Sequence, residues 1–192
     1  LVGEFVEIEK AMNHAIDMIE AGAHVIDIGA QSTKPKSDLV SVVYEIEKVS
    51  PLVVALKTAY PNIEISVDTM SLGCAKAAID AGADIINDVS FLSNPEFARL
   101  CALNDKKLVI MHSRGDSKTM DYLTSCDNLV DDIYKDIKTQ ITVAKSQGLP
   151  DKNIIVDVGF GFAKTINQNL ELLCRIEEFA SLGYPLMAGV SR

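Results

Sequence analysis

Two spacings of apolar residues alternate along the chain. From Phe5 to Ala21 the apolar positions Phe5, Ile8, Met12, Ala15, Ile16 and Ile19 recur at three and four, and Gly22 follows, which predicts a helix stopped by a glycine. HVIDIG, residues 24–29, reads as a short buried strand that ends at Asp27 and Gly29 and opens into the polar loop AQSTKPKSD. The next helical stretch, about 38–60, carries Pro51 near its middle, which predicts a kink or two consecutive helices. EISVDT, residues 64–69, is a second strand, and Ser71 is placed to cap the helix behind it. That helix leads through Gly82 into IINDVS, a third strand. Asn94 before Pro95 marks a helix start and predicts a helix to about Asn104. Lys107 to His112 is then a strand that opens into a polar loop reaching about Cys126, long enough for a lid or binding loop. A helix from about Asp127 to Gln147 stops at Gly148. The strand from Ile154 to Asp157 and the turn VGFGFAKT follow, and Thr165 or Asn167 caps a last helix that closes at Gly183. PLMAGVSR is a final strand.

Two of these stretches repeat. AIDMIEAGAHVIDIG and AIDAGADIINDVS align Ala21-Gly22-Ala23 with Ala81-Gly82-Ala83, 60 residues apart, and set Asp27 opposite Asn87. A recurring helix-glycine-strand unit is what successive α/β units of one sheet or barrel look like. All six apolar strands end in polar residues: Asp27, Asp68, Asn87 with Asp88, His112, Asp157, and Ser191 with Arg192. In a parallel (β/α)8 barrel the ligand site lies on the face where strand ends and the following loops converge. An open doubly wound sheet needs polar ends only beside its switch point, so the barrel is the expectation. Six strands are two short of a closed barrel, and the expectation is a single barrel domain over 1–192 with its first and last strands outside the sequence.

Composition narrows the chemistry. Lys and Arg number 18 against 27 Asp and Glu, a formal charge of -9, which argues against nucleic acid or an acidic membrane surface as partner. Any anionic ligand must therefore be held by local donors. There is no long apolar run and no leader pattern, and the four cysteines, at 74, 101, 126 and 174, form no CxxC pair, so free thiols in a cytoplasmic protein are expected. His14, His24 and His112 are scattered and make no metal-ligand cluster. The most pointed candidate is Asp157. A carboxylate ending a branched apolar run has left the core for a rim, where it is either a ligand or a helix cap, and Gly159, Gly161, Phe160 and Phe162 surround it with permissive backbone and flat apolar surface.

Six motifs in series then point to a family: DIGAQSTKP (27–35), SVDT (66–69), IINDVS (85–90), VIMHSRG (109–115) with KTM (118–120), DVGFGFAKT (157–165) and GVSR (189–192). In order and spacing, over nearly the whole chain, they resemble dihydropteroate synthase, the folate-pathway enzyme that sulfonamides inhibit. The resemblance implies a transferase that condenses 6-hydroxymethyl-7,8-dihydropterin pyrophosphate with 4-aminobenzoate to give 7,8-dihydropteroate and pyrophosphate, assisted by Mg²⁺, in a homodimer formed through late helices. A pterin presents a guanidine-like edge of N–H donors that a carboxylate accepts in bidentate fashion. Asp157 is the implied anchor, with Asn87 and Asp68 taking further ring groups, Met111 packing on the ring and Phe162 bordering the aminobenzoate slot. Thr33, Lys34 and Pro35 match the family's mobile second loop beside the pyrophosphate. Ser191 and Arg192 match its SRK motif, whose lysine would be the next residue. The implied catalytic set is Lys34, Ser191 and Arg192. The family's metal-binding asparagine and its C-terminal phosphate-holding Arg and His are expected outside the sequence.

Three positions depart from the family pattern: Gln31 for Glu, Lys34 for Arg and Val158 for Pro. A lysine binds phosphate as a point charge without the guanidinium fork, so pyrophosphate is held differently if this loop holds it at all. His112 and Arg114 read as structural, and Phe160 as core. The alternatives are the pterin-binding barrel of a corrinoid-dependent methyltransferase, which would keep Asp68, Asn87 and Asp157 but has no pyrophosphate to hold, and a non-catalytic pterin-binding fragment.

Overall fold

A computed structural model describes residues 8–30, 40–113 and 128–190, and these fall into two compact units, one of residues 8–30 with 40–87 and one of residues 88–113 with 128–190. The first unit holds α1 (Ile8–Glu20), β1 (Val25–Gly29), α2 (Val42–Ala59), β2 (Glu64–Asp68), α3 (Leu72–Ala81) and β3 (Ile85–Asp88, through Asn87). The second holds α4 (Glu96–Leu103), β4 (Lys107–Met111), α5 (Leu129–Ser146), β5 (Ile154–Asp157), α6 (Ile166–Cys174) and β6 (Leu186–Met187). Within each unit neighbouring strands are parallel and follow chain order, without the reversal that defines a doubly wound sheet. This is the strand-helix alternation of a (β/α)8 barrel, of which six strands are present.

Strand pairing fixes which side chains share a face, because alternate residues point to opposite sides. In the first unit Ile26, Ile28, Ile65, Val67 and Ile86 lie on one face, all buried. The opposite face carries Asp27 beside Ser66, and Asp68 beside both Gly29 and Asn87. In the second unit Leu108, Ile110, Ile154 and Val156 fill the apolar face, while Met111, Asp157 and Met187 form one rung of the other. The apolar faces drive assembly, at about 25 cal/mol for each Å² removed from water, and the polar rungs come with it.

Helix ends explain why the strands start where they do. Gly22, Gly82 and Gly148 sit in the left-handed region at φ 101°, 113° and 90°. The next residue's N–H returns to the helix in each case, Ala23 to Met18 O at 2.9 Å, Ala83 to Ala78 O at 2.9 Å and Leu149 to Ala144 O at 3.3 Å. These are Schellman-type stops, so the repeat seen in the sequence is a repeated helix ending. At the other ends Ser41 caps α2 by accepting from Tyr44 N, Ser71 caps α3 by accepting from Cys74 N, and Thr165 with Gln168 forms a reciprocal capping box on α6.

Three expectations change. Pro51 neither breaks nor divides α2, which runs unbroken from Val42 to Ala59. A proline inside a helix costs about 3 kcal/mol, and the burial of Val49, Leu52, Val53 and Leu56 around it offsets that loss. The last helix is not continuous to Gly183: α6 ends at Cys174, Arg175 adopts φ -115° and ψ 15°, and a 3₁₀ segment runs Ile176–Leu182. The final strand is the two-residue β6.

Gly22 and Gly82 provide a test of the helix stops. A β-carbon at Gly22 would meet nothing within 4 Å, whereas at Gly82 it would lie 3.3 Å from Lys57 Cγ. Gly22→Ala should cost about 1 kcal/mol from backbone strain alone, and Gly82→Ala should cost more, as read from urea unfolding midpoints.

Candidate active site

The second unit places Asp157 at the end of β5 with 4% of its surface exposed. Its Oδ1 accepts the N–H of Gly159 at 2.7 Å, and its backbone carbonyl accepts the N–H of His112 at 2.8 Å. Burial pushes the carboxyl up to about 6, against the opposing pull of the Gly159 N–H and the positive charge of Lys164. Gly159 is fixed by sterics, since at φ 68° any β-carbon would collide with the carbonyl oxygen of His112. Val158 is fully buried, so its replacement of the family proline leaves the turn in place by packing.

Lys164 was not singled out by the sequence, yet it closes this turn from within. It is 9% exposed, and its ammonium donates to Gly159 O at 2.8 Å and Phe162 O at 2.9 Å, with His112 Nδ1 at 3.0 Å and His112 O at 3.4 Å. An ammonium has no acceptor capacity, so the 3.0 Å contact makes His112 Nδ1 the acceptor and leaves the ring proton on Nε2. That nitrogen faces Asp136 Oδ2 of α5 at 3.3 Å. The His112 ring, 2% exposed, also meets Phe91 edge-on with centroids 5.0 Å apart. His112 therefore connects Lys164 to Asp136 and takes a packing role. The only sequence signal for Lys164 was its place between Ala163 and the capping Thr165, where lysine usually reaches solvent.

Met111, 4% exposed, is the β4 partner of Asp157 in strand register. Phe162 is half-buried, and so is Phe160, which leaves Phe160 short of a core position. Asp88 is wholly buried and uses both oxygens locally, accepting from Ser90 N and Leu92 N at 2.9 Å each; burial raises its carboxyl. Phe91 and Leu92 take left-handed conformations at φ 59° and 53° in this loop, the strained arrangement that Asp88 holds.

In the first unit Asp68 and Asn87 are register partners on β2 and β3, 7% and 6% exposed. Asn87 Oδ1 is buried without a hydrogen-bond partner among the described residues, an arrangement that costs about 1–3 kcal/mol unless a ligand satisfies it. Behind Asp68, Thr69 Oγ1 donates to the buried Glu45 of α2 at 3.1 Å and accepts the Ser71 N–H at 3.0 Å, and burial raises the Glu45 carboxyl. Thr33, Lys34, Pro35, Ser191 and Arg192, with Gln31 and Arg114, lie outside the described residues. Among the described cysteines Cys74 and Cys101 are buried free thiols, pushed up to about 11 and about 12 by burial, and Cys174 is exposed.

The second unit thus holds a buried strand-end carboxylate on a glycine turn, and the first holds a buried amide in register with a second strand-end carboxylate. Residues 2–192 match the model of the pterin binding enzymes, and the chain belongs to that family. Its relatives include the dihydropteroate synthase of Clostridium beijerinckii, 39% identical over 191 residues, which cover 99% of this chain and 68% of that protein. The dihydropteroate synthase of Yersinia pestis, solved in a sulfonamide drug complex, superposes with a TM-score of 0.93 at 32% identity over 97% of this chain and 67% of that one. The enzyme of Xanthomonas albilineans, solved with 4-aminobenzoic acid, gives 0.89 at 32% identity over 98% and 67%. The chain thus spans about two thirds of the length of the relatives it matches, and its fold is that of an incomplete (β/α)8 barrel.

Replacing Gly159 by alanine should separate the β5 turn from His112, at about 3 kcal/mol of stability. Urea unfolding reads this loss, and a cost near zero would show that the turn tolerates a side chain.

Proposed function

We propose that this chain carries the substrate chemistry of a dihydropteroate synthase, a transferase of folate biosynthesis that condenses 6-hydroxymethyl-7,8-dihydropterin pyrophosphate with 4-aminobenzoate to give 7,8-dihydropteroate and pyrophosphate. The observation that carries this is Asp157, a carboxylate buried at a strand end with one oxygen steadied by Gly159 N and flanked in register by Met111. Ionised, it accepts paired N–H groups from the pterin edge, and Met111 lies against the flat ring. Asp68 takes a further ring N–H, and Asn87, whose Oδ1 has no partner among the described residues, accepts another. Phe162 borders the aminobenzoate slot.

The reaction breaks the bond between the pterin methylene carbon and the pyrophosphate oxygen, and the electron pair leaves with pyrophosphate. The aminobenzoate nitrogen then bonds to that carbon and loses a proton. A cation stabilised by a positioned ring and an anion met by local positive charge make this electrostatic catalysis, with no single general base. By resemblance Thr33, Lys34, Pro35, Ser191 and Arg192 meet the pyrophosphate. Lys34 would meet it as a point charge.

Magnesium belongs to the proposal through the family alone. No group of three or more His, Cys, Asp or Glu side chains among the described residues is arranged to hold a metal ion, so no step above runs through one. A homodimer and a cytoplasmic location are also part of the proposal; among the described residues no helix is long and apolar enough to cross a membrane.

Pyrophosphate release should require both 4-aminobenzoate and the pterin pyrophosphate, and release with either substrate alone would sink the proposal. Asp157→Asn separates binding from stability. Loss of charge-assisted hydrogen bonds worth about 1.5–3 kcal/mol should weaken pterin binding roughly 10- to 100-fold. A buried carboxyl raised to about 6 from an ordinary 3.8 favours the protonated fold. Its stabilising contribution is therefore present below its unfolded pKa and is lost as pH rises through the folded value. At pH 7 the ionised group costs on the order of 3 kcal/mol, so the Asp157→Asn variant should melt at or above the wild-type temperature. Unchanged activity in this variant would remove Asp157 from its role.

A further inference from the structure

We infer that Lys164 is a positioning residue for the reaction: its ammonium ties the turn after β5 to the end of β4 and supplies the fixed positive charge against which the Asp157 carboxylate is held for the pterin edge. This rests on the proposed role of Asp157 as pterin anchor.

The geometry excludes a direct role for Lys164 toward a substrate phosphate. Its three N–H donors face three acceptors at 2.8, 2.9 and 3.0 Å, and only 9% of the residue is exposed. What the side chain organises instead is Gly159. The N–H of that glycine donates to Asp157 Oδ1 at 2.7 Å while its carbonyl accepts from Lys164 at 2.8 Å. One residue is thus clamped between the carboxylate and the ammonium. Within the segment so held Gly159 and Gly161 take φ 68° and 81° freely as glycines, whereas Ala163 at φ 50° is strained, a conformation that persists only where its surroundings over-determine it. Lys164 supplies those surroundings through the carbonyls of Gly159 and Phe162 on one side and His112 on the other.

Charge supports the same assignment. Lys164 is the described cation that pulls the Asp157 carboxyl downward against burial. Among the described residues, the titratable groups linked to Lys164 in this turn are His112 at the end of β4, which accepts from Lys164, and Asp136 of α5 beyond it. From the β6 side the near neighbour is Gly189, and residues 185–190 carry no charge. A neutral residue at 164 would leave the carboxylate opposed by burial with only one N–H in its favour.

The test is calorimetric titration of 6-hydroxymethylpterin into the wild-type protein, Lys164→Gln and Lys164→Arg from pH 5 to pH 8.5. Glutamine keeps two donors for the turn but removes the charge; arginine keeps the charge in a changed shape. Wild-type affinity should fall as the pH drops through about 6. In Lys164→Gln that limb should move up by about one pH unit, which makes binding roughly fivefold weaker at pH 6 and roughly tenfold weaker at pH 5, and leaves it near wild type at pH 8.5. In Lys164→Arg the limb should stay in place. A uniform loss at every pH with an unmoved limb would mark Lys164 as structural only and overturn the inference, as would failure of both variants to fold. A wild-type protein that does not bind the pterin would sink the pterin proposal itself, whereas wild-type binding with unmoved variant limbs sinks this inference alone.

Discussion

Removing a carboxylate from water is expensive, and the end of β5 is built around meeting that cost for Asp157. The compensation comes from one backbone N–H, at Gly159, and one buried cation, Lys164. Each demands something of its neighbours. The N–H can reach Oδ1 only if the chain turns at a residue with no side chain, because the His112 carbonyl lies where a β-carbon would go. The cation can be buried only if several oxygens converge on it, and they do so from both β4 and the turn itself. A preorganised acceptor is the result, and preorganisation is what allows an electrostatic site to act without rearranging at the moment of reaction.

The acidic side chains divide into two kinds. Asp88 and Glu45 are buried acids whose partners are local: Asp88 holds the two amides of a strained loop, and Glu45 accepts from Thr69 behind β2. Asp68 and Asp157 lie at strand ends, each on the face opposite the buried apolar row of its own unit's strands. The first kind stabilises backbone shape, and the second is the kind to which the proposed function assigns the pterin. A net charge of -9 gives the distinction weight, since the anionic substrate of the proposed reaction would be repelled overall and recognised by a few placed groups.

The strand ends were legible in the sequence because a polar residue terminating a branched apolar run has few physical explanations, and Asp68, Asn87 and Asp157 stand where that pattern put them. The stops at Gly22, Gly82 and Gly148 were legible for a similarly local reason: a left-handed residue at a helix end favours glycine. Of the two expectations at Pro51, the division into two helices does not occur, because the rule for proline is local while the packing of Leu52, Val53 and Leu56 is not. The split of the last helix at Arg175 had no glycine or proline to announce it. Lys164 stayed hidden for the deepest reason. Its burial depends on carbonyls from residues 112, 159 and 162, and backbone oxygens have no sequence signature.

In the proposed role of Asp157, a carboxyl pushed up to about 6 by burial would make pterin capture an exchange of protons. Close to that pH a sizeable fraction of empty molecules carries hydrogen on Asp157, and a ring edge made of donors cannot dock until that hydrogen leaves. Pterin binding in mildly acidic solution would therefore release acid into the buffer. The heat observed is then a sum of ring capture and buffer protonation, and it varies with the buffer chosen even where the contacts are identical. Burial, opposed by the Gly159 N–H and then by the buried ammonium behind it, sets where on the pH scale this exchange would fade and capture become proton-neutral.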